Sequence, residues 1–110
     1  MLIHDYADVE ALMNTCGFPR QEGDFRKSVE CPYVAWFRSK ELAEGADGKA
    51  VFTRVEMAVE LYTNKGDTTS EATLESWFRS NDIIYGKSER VFISDQNYYE
   101  TVYEFELILI

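Results

Sequence analysis

The chain has 110 residues, 45% of them hydrophobic and 15% aromatic. That is enough apolar surface for one self-sufficient domain, and it excludes intrinsic disorder. Eleven Lys and Arg against 20 Asp and Glu leave a net charge of −9. This excludes a non-specific nucleic-acid binder and disfavours docking on an anionic membrane, since both need clustered cations.

In chain order, Asp5–Cys16 predicts a first helix, with Tyr6, Val9, Leu12, Met13 and Cys16 on one face. Asp5 is its expected N-cap and Gly17 its stop. A mixed segment follows to Glu30, in which Phe18 and Phe25 are expected to anchor a short edge strand or loop. Pro32–Arg38 is β-branched and aromatic and predicts a strand. In Leu42–Lys49 the pair Asp47-Gly48 signals either a tight hairpin or the end of a longer loop.

Ala50–Tyr62 alternates cleanly. Val51, Val55, Met57, Val59 and Leu61 share one parity, and Arg54, Glu56 and Glu60 the other. After a turn at Thr63–Asp67, Thr68 with Glu71 has the capping-box pattern, opening a helix to about Ser80 with Leu74, Trp77 and Phe78 as its stripe. Ile83–Ile93 predicts a strand interrupted near Gly86. Ser94–Asn97 is a turn. Tyr98–Ile110 is the last strand, with Glu100, Glu104 and Glu106 alternating against Tyr99, Tyr103, Phe105, Leu107 and Leu109. The fold class expected is α+β: an antiparallel-dominated sheet of four to five strands with two helices packed on one face. The whole of 1–110 reads as a single domain.

No catalytic signature emerges. His4 is the single histidine and sits at a helix start, where a surface or cap role is expected. No nucleophile elbow, phosphate loop, dinucleotide fingerprint or zinc-protease motif occurs. Cys16 and Cys31 lie fifteen positions apart without companion ligands, so they read as free thiols rather than a metal site. No catalytic, cofactor-binding or metal residue is assigned, and no cofactor is expected. The N-terminus has no basic leader, and the apolar C-terminal run is too short to cross a bilayer.

The acids carry more information. Glu56 and Glu60 share a parity on one strand, and Glu100, Glu104 and Glu106 on another. Pairing of the two strands would gather like charges at a cost unless cations such as Arg54 or Arg38 intervene. These five form the candidate acidic channel or assembly face. The aromatic series Tyr33, Trp36, Phe37, Tyr62, Tyr85, Tyr98, Tyr99 and Tyr103 lacks the basic neighbours of a base-stacking surface, and reads as core or protein interface.

Three segments carry a resemblance: PYVAWF at Pro32–Phe37, VELYTNKGD at Val59–Asp67 followed by a helix with Glu71 and Glu75, and Ile84–Glu89 with the terminal YYETVYEFEL. Their succession resembles the small tail-completion, or head–tail joining, proteins of tailed phages and prophages of Gram-positive bacteria. The resemblance implies a tail-terminator-like fold and a non-enzymatic part of a hexameric ring. It would act with a tail tube protein and head connector proteins, with DNA only as passing cargo. It also implies residence in the host bacterial cytoplasm during assembly and in the virion afterwards. The loop after Phe37 departs from the family's usual form. Glu44, Asp47 and Lys49 in it are the candidate contacts to a neighbouring subunit or the tube. The alternative reading is a small acidic inhibitor or DNA mimic acting on a basic partner.

Overall fold

The computed structural model describes residues 1–23 and 29–110. Phe25, expected to anchor a short edge element, lies outside the described residues. The elements are β1 (Leu2–Ile3), α1 (Ala7–Met13), β2 (Arg20–Glu22), β3 (Tyr33–Ala46), β4 (Lys49–Thr63), α2 (Ser70–Ser80), β5 (Tyr85–Lys87), β6 (Val91–Ile93) and β7 (Tyr98–Leu109).

The expected sheet of four to five antiparallel-dominated strands with two packed helices is not what forms. About half of the described residues are strand and 17% helix, in a seven-stranded curled half-barrel of mixed orientation. The central order is β1-β7-β4-β3-β2, and β5 and β6 also pair with β7. β1 runs parallel to β7 and β2 parallel to β3. The reason is local. Strands of two and three residues are too short to show a period in sequence, yet they supply partners to edges that would otherwise stay open. Three of them, β6, β5 and β1, lie end to end along one side of β7.

Alternation fixes the core. Val55, Met57, Val59 and Leu61 of β4 and Tyr103, Phe105 and Leu107 of β7 point to one face, where they meet Val9, Leu12 and Met13 of α1 and Leu74 and Phe78 of α2. Phe78 is the aromatic hub, with ring centroids 4.8 Å from Tyr85 and 5.3 Å from both Tyr103 and Phe105. The Trp77 indole donates to Thr15 Oγ1 at 2.9 Å, tying α2 to the end of α1. Tyr6, expected on the buried face of the first helix, is instead exposed.

The caps show why Asp dominates helix starts. Asp5 Oδ1 accepts from the Asp8 N–H at 3.1 Å, and Asp8 Oδ2 accepts from the His4 and Asp5 N–H groups. This is a reciprocal box that satisfies otherwise orphaned donors. At α2 the expected Thr68–Glu71 box is replaced by Asp67, whose carboxylate accepts from the Thr69 and Ser70 N–H groups and the Ser70 hydroxyl. Glu71 is thereby left to pair with Lys87 at 2.9 Å. Gly86 does not interrupt its strand, since it pairs regularly with Glu104. The break comes at Ser88, whose side-chain oxygen accepts the Val102 N–H at 2.9 Å in place of a backbone carbonyl.

Asp47-Gly48 closes a two-residue hairpin, with φ of 55° and 76° as such a turn requires. The region Leu42–Lys49 is therefore strand on both sides of the turn rather than a long loop. β3 and β4 project past the end of β7 as a two-stranded arm: β4 pairs with β7 from Thr53 onward, and its first residues pair with β3 alone. The radius of gyration is 15.2 Å, above the roughly 13 Å of a compact chain of this length.

Candidate functional site

The face of the sheet opposite the core cluster is built by the second parity of β4 and β7. Register places Glu100 beside Tyr62, Val102 beside Glu60, Glu104 beside Ala58, Glu106 beside Glu56 and Ile108 beside Arg54. All five glutamates singled out in the sequence therefore share one face, across two adjacent strands. Ala58 and Ala35 are buried between them, because small side chains at the floor are overhung by longer neighbours.

The cations are arranged unevenly. Arg54 bridges two strands, with Nη1 3.0 Å from Glu44 and Nε 3.3 Å from Glu106. Lys40 stands opposite Glu56 in the β3–β4 register. Arg38, the other cation expected to relieve the acids, is not on this face. It pairs with Met57 in register, ion-pairs with Glu41 at 3.7 Å, and stacks over the Tyr6 ring at 4.1 Å. Arg38 continues the parity of Val34 and Trp36, and the register shift comes only after it, between Arg38 and Lys40. The extra residue Ser39 inverts the alternation, so Val34, Trp36 and Arg38 face the helices while Lys40, Leu42 and Glu44 face the other way.

At one end of the face Tyr33, Tyr62 and Tyr98 pack together, with centroids 4.7 Å apart for Tyr33–Tyr62 and 5.1 Å for Tyr62–Tyr98. The Tyr62 hydroxyl donates to Glu60 Oε2 at 3.1 Å. Burial, followed by its contacts with Glu100 and Glu60, pushes the Tyr62 phenol well above its ordinary value. A shallow groove crosses the middle of the face, lined in part by Glu56, Glu104 and Glu106 and by Ile84, which is 93% exposed. The second candidate group is spread over the arm. Glu44 lies within β3 on the Arg54 ion pair, Asp47 in the turn, and Lys49 at the start of β4.

A polar cluster that the sequence-based expectations did not include lies on the helix side. Glu75 of α2 accepts from Lys87 Nζ and the Tyr103 hydroxyl, both at 2.8 Å, and from the Tyr85 hydroxyl at 3.2 Å. Burial alone would raise the Glu75 carboxyl, but these three donors outweigh it and hold the group below its usual value. The residues lie up to 28 positions apart, so no local pattern announces them. Arg90 extends the cluster, stacking on Tyr99 at 3.9 Å and donating to the Asn64 carbonyl at 3.1 Å. The three contacts to Glu75 tie α2 to the sheet, and the Tyr103 side chain is fully enclosed.

Among the described residues no group of three or more His, Cys, Asp or Glu is placed to hold a metal ion. Cys16 and Cys31 are free thiols, the first buried. Among the described residues no helix is long and apolar enough to cross a membrane. The chain matches no protein-family model, and no curated protein matches it.

Proposed function

We propose that the chain is a structural part of phage morphogenesis. It completes or terminates the tail and joins it to the head connector as one unit of an oligomeric ring, without enzymatic activity of its own. The observation that supports this reading is the collection of Glu56, Glu60, Glu100, Glu104 and Glu106 on one face free of both helices. A surface of that charge repels phosphates, so DNA passes along it as cargo without sticking. The projecting β3–β4 arm supplies a surface through which neighbouring copies or the tail tube protein make contact.

Mass measurement at high protein concentration with negative-stain imaging tests the proposal. Rings with a central channel support it, and a chain that stays monomeric on purified tail tubes counts against it. One observation also favours a second reading: carboxylates presented on a single face are what a DNA mimic would offer a basic partner. Competition with DNA for a DNA-binding enzyme separates the two, since a ring component lacks that activity.

A further inference from the structure

Among the described residues β2 covers the outer edge of β3 only opposite Val34–Trp36, and no strand pairs with that edge beyond Trp36. Between register shifts at Arg38/Lys40 and Glu44/Gly45 the strand is regular over Lys40–Glu44. An exposed regular edge presents unpaired N–H and C=O groups that template another strand. Leu42 at its centre is 40% exposed.

The charge pattern of this edge is complementary to itself. In an antiparallel pairing of two copies centred on Leu42, Lys40 of each copy stands opposite Glu44 of the other. Leu42 then meets Leu42, and Glu41 meets the neutral Ala43. Centring on Glu41 would oppose two glutamates, and centring on Ala43 would set Leu42 against Glu44; both lose the two Lys–Glu pairs. Charge elsewhere points to the same place. Residues 38–54 carry four cations (Arg38, Lys40, Lys49, Arg54) and three acids (Glu41, Glu44, Asp47), a net charge of +1 within a chain of −9. Arm-to-arm approach therefore brings together the least acidic stretch of each copy.

We infer that the Lys40–Glu44 edge of β3 pairs with the same edge of a second copy about a twofold axis, joining two sheets into one. The contact is isologous and independent of the ring proposed above.

Sedimentation analysis of the full chain tests it. The wild type is expected to dimerise with a dissociation constant of roughly 10–100 µM, as suits a contact well below standard interface size. Lys40→Glu opposes Glu44 with glutamate twice and is expected to weaken dimerisation about tenfold or more, while the double variant Lys40→Glu/Glu44→Lys restores it to within about threefold. Ala43→Pro, which removes an edge N–H, abolishes it; circular dichroism confirms that each variant keeps its sheet. A wild type that stays monomeric to about 1 mM overturns the inference, as does a Lys40→Glu variant that associates like the wild type. A Lys40→Glu variant that forms rings and still dimerises like the wild type overturns this contact and leaves the proposed role standing. A dimer lost in Lys40→Glu, from a chain that never forms rings, supports the contact and counts against that role.

Discussion

Glu56 and Glu106 stand directly opposite each other in the β4–β7 ladder, and Arg54 reaches back along its strand to hold Glu106 at 3.3 Å. Like charges at opposed positions destabilise a sheet by a fraction of a kcal/mol, and a half-exposed ion pair contributes a similar amount in return. Glu56→Gln is therefore expected to raise stability by about 0.5 kcal/mol, and Arg54→Gln to lower it by about 0.5–1 kcal/mol. Urea unfolding with an unchanged slope reads both. Added salt should shrink the two effects together, because both are screened. Opposite responses to salt would show that the face is not governed by charge.

The Glu75 cluster fastens α2 to β5 and β7. Tyr103→Phe removes one donor and is expected to cost about 1 kcal/mol, whereas Glu75→Ala strands the enclosed Tyr103 hydroxyl and costs about 1–3 kcal/mol. A double-mutant cycle between the two should return a coupling of at least about 0.5 kcal/mol. Additive effects would mean that the 2.8 Å contact contributes nothing.

The same carboxyl sets part of the acid response. Glu75 is held below its usual value by its donors against the opposing effect of burial, as is Asp67 by Ser70 and Thr69. Asp8 is held down by the His4 and Asp5 N–H groups. A depressed carboxyl gives stability that is complete above its unfolded value, near 4, and is lost as pH falls through the folded value. Stability should be level from neutral pH down to about 5 and then decline, with a shallower decline in Glu75→Gln. A profile that improves on acidification would contradict this sign.

At the alkaline end Tyr33, Tyr62 and Tyr103 resist ionisation, in each case chiefly through burial and then through Tyr98, Glu100 and Glu75 respectively. A raised phenol contributes stability that is present below about pH 10 and lost as pH rises beyond it, because the unfolded chain ionises first. Tyrosinate absorbance should show these three of the seven tyrosines appearing only with loss of the sheet. Titration of all seven before unfolding would refute the enclosure of the three.

Gly45 sits at the second irregularity of β3, where any side chain would run into the Lys49 carbonyl. Gly45→Ala should open the arm, with faster amide exchange over Glu44–Phe52 and a loss of about 1–3 kcal/mol. Protection equal to the wild type would show that the arm end bends without cost.

The sequence by itself determined the two long alternating strands, the second helix, the Asp47-Gly48 turn and the common parity of the acids. These features are local: they follow from the two-residue period of a strand, the 3.6-residue period of a helix and the positive φ of a turn. Only the tertiary structure decided that β4 pairs with β7 so that Glu56 meets Glu106, that β1 and β2 complete the sheet in parallel, and that Glu75 gathers Lys87, Tyr85 and Tyr103. Ser39 separates the two domains of knowledge most sharply. One inserted residue turns Lys40 toward the acidic face, although it shares the parity of Arg38 on the helix side, and no composition or period reveals an insertion that is defined only against the partner strand.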